Sequence, residues 1–278
     1  MKYYIVDAFT DKLFRGNPAG VCLLESELPD RVMQKIAYEN NLAETAFLLK
    51  KEDTYSLRWF TPEVEMDLCG HATLATAFVV MNFVDPELTK IEFETQSGKL
   101  SVERAEDLYK MNFPSRMPLE TAANPLLEDA LGCKVLETYL SRDLLVLAES
   151  EKAVENLLVL AESEKAVENL RVDVDKLAAI SKDISFAVIV TAKGSSCDFV
   201  SRFFAPNAGI CEDPVTGSAH CTLIPFWSRR LGKNSMTAKQ LSPRGGVLLC
   251  EDKGERVNIS GKEVCYLEGD IMLPDLKD

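Results

Sequence analysis

The sequence is short of histidine, tryptophan and basic charge. Its 278 residues include only two histidines, His71 and His220, and two tryptophans. It holds eight cysteines but no C-x-x-C pair. Scattered thiols without a paired framework read as the reduced cysteines of a cytoplasmic protein. With so few histidines, a structural zinc site is not expected. Lysine and arginine number 31 against 44 aspartates and glutamates, a net charge of −13. An acidic surface repels phosphate backbones, so neither nucleic acid nor an anionic membrane is expected as a partner. A small anion remains possible, because a few local donors outweigh the global field. The opening segment MKYYIVDAFT has no apolar core of the signal-peptide kind. The longest apolar stretch, Ala72 to Val84, is too short to span a bilayer and contains threonine and asparagine.

What is present is the material of a globular protein. Hydrophobic residues make up 46% and charged residues 27%, and at ~150 residues per domain the length predicts two domains. Strand-like runs cover Tyr3–Phe9, Ala19–Leu24, Leu42–Leu49 and Ser56–Phe60, with a turn at Gly16-Asn17-Pro18 and a one-sided helix over Pro29–Glu39. LVLAESEKAVENL occupies Leu145–Leu157 and recurs without a difference at Leu158–Leu170. Stacking repeats are longer and drift in sequence. One copy already supplies a strand and a helix, with Ser150 as N-cap and Glu151 in its first turn. The exact repeat at 145–170 therefore reads as a recent duplication or a cloning or sequencing artefact, not as architecture.

Two distant segments share a pattern. Arg58-Trp59-Phe60-Thr61-Pro62 resembles Arg202-Phe203-Phe204-Ala205-Pro206. Each is followed by acidic residues, a glycine and an apolar helix: Gly70 before Ala72–Val80, Gly217 before Ala219–Trp227. Glu44-Thr45-Ala46-Phe47 is matched with Asp183-Ile184-Ser185-Phe186. Three matches in one order predict two domains with one internal plan. Both helices are apolar on almost every side, so each should be wrapped by a curved sheet. Their N-termini carry unpaired N–H groups and the positive dipole end, and a preceding glycine lets an anion approach. The two helix starts are candidate carboxylate sites; the alternative is that Gly70 and Gly217 only punctuate turns.

Five residues could carry chemistry. Glu44, set among apolar neighbours, is expected to have its pKa raised toward neutrality, which suits it to taking a proton and returning it, unless it is an exposed strand-end glutamate. Asp213 stands just ahead of the second helix, as a substrate ligand, a second acid/base or a cap. His71 opens the first helix, where the dipole is expected to favour neutral imidazole; a structural histidine is the alternative. Cys69 at the same helix start is expected to have a lowered pKa, which would make it a possible second acid/base; a small buried cysteine is the alternative. Asn17 is either a turn residue or a hydrogen-bond partner for substrate.

D-A-F-T near the start, G-N-P-A-G-V, N-L-A-E-T-A-F, C-G-H-A-T and E-D-P-V-T-G-S-A-H follow one another as in the PhzF family of phenazine-biosynthesis-like isomerases and epimerases. The resemblance runs nearly end to end, apart from the duplicated thirteen residues. It implies the α+β fold of diaminopimelate epimerase: two similar domains, each a curved sheet or barrel around a central helix, with the active site in the cleft between them. The implied division is 1–118 with 266–278, and 119–265. Glu44 matches the family's catalytic glutamate, a proton shuttle in a cofactor-independent allylic isomerisation, and His71 and Asp213 match its other active-site residues. Gly70, Ala72, Thr216, Gly217 and Ser218 fall where a substrate carboxylate binds, and Asn17 matches an asparagine lining the cleft. The resemblance implies no cofactor, no metal and a homodimer. Ala43 departs from the serine of the phenazine-pathway enzyme, so that enzyme's substrate is not carried over. Cys69 stands at one catalytic cysteine of the related epimerases, and Pro214 is read as the position of the second. The expected activity is isomerisation of a small carboxylate. An amino-acid epimerase using Cys69 with an acidic partner, and a binding protein without turnover, are the alternatives.

Overall fold

The computed structural model describes residues 1–52, 54–149, 162–182 and 184–273. The chain forms two compact units, Met1–Asn112 with Ser260–Asp278, and Phe113–Ile259. It begins with β1 (Lys2–Ala8), β2 (Asn17–Leu24), α1 (Asp30–Asn40), β3 (Glu44–Lys51), β4 (Thr54–Phe60) and β5 (Glu65–Met66). Helix α2 (Gly70–Val79) runs into one π-helical turn (Val80–Val84), and β6 (Lys90–Thr95), β7 (Gly98–Ala105) and β8 (Leu108–Pro114) follow. The second unit continues with β9 (Leu119–Thr121), α3 (Leu127–Leu131), β10 (Lys134–Leu140), β11 (Leu144–Glu149), α4 (Glu162–Glu168) and α5 (Val174–Ser181). After these come β12 (Val188–Lys193), β13 (Phe199–Ala205), β14 (Ile210–Asp213), α6 (Gly217–Leu231), β15 (Ser235–Gln240), β16 (Gly246–Asp252) and β17 (Arg256–Gly261). The chain then returns to the first unit with β18 (Glu263–Asp270).

In the N-terminal unit β18, β1 and β2 pair antiparallel, β2 with β3 parallel, β3 with β4 antiparallel, β4 with β6 parallel, and β6, β7 and β8 antiparallel. Strand β5 hangs on β4. The C-terminal unit repeats this order. β10 pairs with β11 antiparallel, β11 with β12 parallel, β12 with β13 antiparallel, β13 with β15 parallel and β15 with β16 antiparallel, while β14 hangs on β13. The internal plan expected from the sequence is thus the observed one.

The helices differ as their patterns predict. Helix α1 buries one stripe, Val32, Met33, Ile36 and Ala37, against β3 and β4. Helix α2 is buried from His71 to Ala77 and again at Val79. It touches β1, β2 and β3, and also β7 and β18. Laid flat, β18 and β7 would be six strand spacings apart, about 29 Å, whereas a helix is only about 10 Å across. One helix reaches both because the sheet bends around it.

Helix α6 is buried from Ala219 to Ser228 and carries Pro225 in its interior. A proline has no N–H to give, so the carbonyl four residues back loses its helical partner. That carbonyl, on Cys221, instead accepts the Arg116 backbone N–H at 2.8 Å.

Register corrects three details of the sequence reading. Asn17 is the first residue of β2, not a turn residue; the turn falls at Gly16, whose φ is +63°, and a side chain there would collide with the Ala8 carbonyl. Thr45 pairs with Phe60, and Val188 pairs with Phe204. With Phe60 matched to Phe204, the counterpart of Glu44 is Ala187, and not Asp183, which lies outside the described residues. Arg58 is bonded to Glu65 as Arg202 is to Glu212, which aligns Cys69-Gly70-His71 with Thr216-Gly217-Ser218. The position equivalent to Cys69 is therefore Thr216, and not Pro214. Of the duplicated segment, the first copy supplies β11 and the second supplies α4; Ser150 and Glu151 lie outside the described residues.

Candidate active site

In the N-terminal unit one end of α2 gathers four of the expected residues. Asn17 comes from β2 and Glu44 from β3, and Ala19 pairs with Glu44 in the β2–β3 register. Asn17 and Ala19 are two residues apart, so their side chains and that of Glu44 share the face of the sheet toward α2. Cys69 is the extended residue immediately before the helix, with φ −140° and ψ 117°, and His71 lies in its first turn. All four are buried.

The imidazole of His71 organises the group. Its Nε2 lies 3.1 Å from Oε2 of Glu44. The pair is not aligned as a hydrogen bond, and neither atom has another partner among the described residues. They meet as a buried charge pair. On the other edge of the ring, Nδ1 lies 3.3 Å from Nδ2 of Asn17 and 3.6 Å from Sγ of Cys69. Asn17 can only donate from Nδ2, so it bonds Nδ1 when that nitrogen is unprotonated, and an Nδ1–H is left to Sγ of Cys69. Glu44, Cys69 and His71 lie close enough to suggest metal ligands, but the carboxylate and the thiol flank opposite edges of the ring. One ligand atom from each lies within 4.8 Å of the other two, but with the thiol held protonated by burial and by Glu44 the trio suits proton chemistry better than a metal cage.

Charge states follow from burial and neighbours. Burial pushes the Cys69 thiol up, and the Glu44 charge pushes it further. The expected helix-start activation of Cys69 is overturned, because a thiolate there would lose its water and face a carboxylate. Burial also works against the His71 imidazolium, but its contacts with the Cys69 sulfur and the Glu44 carboxylate more than offset it. Its pKa lies well above that of an ordinary histidine. Of the two partners Glu44 supplies the charge, since Cys69 remains a thiol. The expectation of a neutral His71 is overturned in turn: an adjacent carboxylate outweighs the partial charge of a helix end.

Gly70 opens α2, and Ala72 is fully buried in its first turn. Thr73 Oγ1 donates to the Cys69 carbonyl at 2.5 Å. This is a four-residue back-bond that ties the helix start to its own first turn.

The C-terminal unit gathers the other expected residues at the start of α6. Thr216 is again the extended residue before the helix, with φ −112° and ψ 98°. Its hydroxyl donates to Oδ2 of Asp213. Gln240, fully buried on β15, was missed by sequence reasoning. Its Oε1 accepts the Thr216 N–H at 2.9 Å, and its Nε2 donates to the Asp213 carbonyl at 2.8 Å and to Thr216 Oγ1 at 3.1 Å. Asp213 is thus held through both its carboxylate and its carbonyl in the turn before α6. Ser218 Oγ accepts from Arg142 at 3.3 Å, and Arg142 is itself bidentate on buried Asp143. His220 takes the place of Thr73 and makes the same back-bond: its ring Nδ1 lies 2.8 Å from the Thr216 carbonyl. Fully buried, and with no carboxylate beside it among the described residues, His220 has its pKa pushed down by burial to about 4. Nothing in the local sequence distinguished Gln240, because it lies on a strand remote in the chain from the residues it clamps.

The bent sheet around a buried helix, built twice, is the fold of the proline racemases and related epimerases. A probable proline racemase from Agrobacterium radiobacter shares it with a TM-score of 0.62 at 10% identity, over 99% of this chain and 94% of that one. The chain itself belongs to the PhzF family: residues 6–269 match the family of phenazine biosynthesis-like proteins. It is 46% identical over 274 residues to an isomerase of Pseudomonas aeruginosa described as uncharacterized, covering 98% of this chain and 99% of that protein. It is 47% identical to a PhzF-family protein of Enterococcus faecalis of known crystal structure, with a TM-score of 0.91, covering 98% of this chain and 99% of the other. No helix among the described residues is long and apolar enough to cross a membrane.

Proposed function

We propose that this protein is an isomerase that moves a proton within a small carboxylate-bearing metabolite. Glu44 is the group that takes the proton and returns it at another carbon. The observation that carries this reading is the buried approach of Glu44 Oε2 to His71 Nε2 at 3.1 Å. An imidazolium held there keeps the carboxylate oriented to act as a base. As Glu44 becomes neutral on taking the proton, His71 relaxes toward giving up its own charge, so the pair spreads the change over two groups. The relatives named as isomerases support the reaction class.

The helix starts are assigned the binding role. Gly70 and Ala72 on α2, and Gly217 and Ser218 on α6, offer first-turn N–H groups and, at Ser218, a hydroxyl suited to a carboxylate, and Thr216 orders the start of α6. Asn17 helps set the His71 ring, and Asp213 braces Thr216. Cys69 is assigned no proton-transfer role, because its thiol is held protonated.

The test is solvent-deuterium incorporation into a panel of small unsaturated and amino carboxylates. Wild type should label at least one of them at two carbons, and Glu44→Gln should lower the rate by about 100-fold or more. Labelling by Glu44→Gln at the wild-type rate would remove Glu44 from the mechanism.

A further inference from the structure

A second carboxyl group lies on the α2 face of the N-terminal sheet, and neither the sequence motifs nor the proposed reaction uses it. Glu263 begins β18 and is 9% exposed. In the strand register Glu263 pairs with Ala8, and Ala8 pairs with Asn17. Cross-strand partners point to the same face, so Glu263, Ala8 and Asn17 form one row across three strands. Asn17 meets His71 at the end of that row. Oε1 of Glu263 accepts the Phe9 N–H at 3.4 Å. Oε2 is buried and has no hydrogen-bond partner among the described residues.

The surroundings are built to hold this carboxyl in place. Phe9 is buried with φ +63°, a left-handed conformation costly for an aromatic residue. That turn aims its N–H at Glu263. The conformation also needs Gly261, where a Cβ would lie 2.5 Å from the Phe9 ring. Burial raises the Glu263 pKa well above that of an ordinary glutamate. The Phe9 N–H and the His71 charge oppose the rise, and Asp7 adds to it. The two carboxyls on one face have different surroundings: Glu44 lies against the His71 ring, and Glu263 is buried beside Asp7. Such a split assigns opposite roles to two acids.

We propose that Glu263 is an uncharged hydrogen-bond donor to the substrate, with its Oε2–H directed at the oxygen on which negative charge develops. The ligand class is a compound whose carbonyl or carboxyl oxygen is conjugated to the carbon that loses the proton. This rests on the assignment of Glu44 as the proton acceptor. When Glu44 takes the proton, the C–H electron pair becomes a C=C bond and the carbonyl π pair moves onto oxygen. Glu263 keeps its proton and donates a hydrogen bond to that oxygen. When Glu44 returns the proton at a different carbon, the charge leaves the oxygen. A buried donor left without a partner in the free protein is spent only when ligand or the transition state arrives.

The state of Glu263 is read by infrared spectroscopy on the full chain at neutral pH. Wild type minus Glu263→Gln should show a protonated-carboxyl C=O band, and Glu44→Gln should keep that band. Loss of carboxylate bands in its place would overturn the proposal. Its role is read on the panel carboxylate that wild type labels with deuterium. Glu263→Ala should lower kcat about 100-fold with little change in KM, and Glu263→Gln, which still offers an N–H donor, should recover much of the loss. Wild-type kcat in Glu263→Ala would also overturn it. If Glu263→Ala fails to fold, the Gln variant and the infrared band carry the decision. Undiminished labelling by Glu44→Gln, alongside an impaired Glu263 variant, would overturn the role of Glu44 and leave the donor standing.

Discussion

The starts of α2 and α6 are the same piece of backbone with different chemistry. In each, an extended residue precedes a glycine and a buried helix, and a side chain in the first turn bonds back to the carbonyl of that extended residue. In the N-terminal unit the variable positions hold Cys69, His71 and, from β3, Glu44. In the C-terminal unit the same positions hold Thr216, Ser218 and Ala187. At one start these positions carry a thiol, an imidazole and a carboxyl, and at the other two hydroxyls and a methyl group. The units also differ at a hairpin. β1 and β2 are separated by residues 9–16, whereas β10 and β11 close tightly, with Leu140 paired to Leu144. The longer connection brings Phe9 beside Glu263. A duplicated scaffold has kept its geometry while one copy specialised in charge and the other in hydrogen bonding.

The contrast is broken most strongly at His71. His71→Gln should cut the rate of deuterium labelling by about 100-fold. It should also erase the alkaline limb of the pH profile, which in wild type reflects loss of the His71 proton at a pH well above the ordinary histidine range. Ser218→Gln, at the equivalent position, should leave the shape of that profile intact.

Stability should separate the two histidines by sign. The His220 pKa is lowered by folding, so its contribution is present above about 6.5 and is lost as pH falls toward 4. Urea titrations should show a loss on the order of 3 kcal/mol across that window, and His220→Leu should flatten it. The His71 pKa is raised by folding. Its contribution is full below about 6.5 and fades as pH rises through the folded value, and that fading should be absent in His71→Gln.

Binding should be the weakness of the α6 start. Ser218→Ala should raise KM about 10-fold and leave kcat within about 3-fold, as expected for loss of one hydrogen bond to a charged ligand. The smallest effect is expected where the two units are made alike. Cys69→Thr places at α2 the residue that α6 carries, and labelling should stay within about 3-fold of wild type. A larger loss would return the thiol to the mechanism.

Much of this was legible in the residues. The paired R-W-F-T-P and R-F-F-A-P segments, each leading to a glycine and an all-round apolar helix, exposed the doubled plan. Glu44, His71 and Asn17 stand in local motifs, and the structure brings them together. Glu263 and Gln240 were not legible, because each reaches its partners through strand pairing between segments far apart in the chain. The charge states of Cys69 and His71 were misread for a related reason. The helix dipole can be read from neighbours in sequence, but the Glu44 carboxylate beside them arrives from another strand.

The sequence by itself determined which helices are buried, where they begin and that the plan is used twice, because these depend on periodicity, glycine and apolar runs along one stretch of chain. Only the tertiary structure decided which carboxyl faces an imidazole and which keeps an oxygen without a hydrogen bond among the described residues. Burial and Coulomb energy depend on distance in space, and strand register sets that distance.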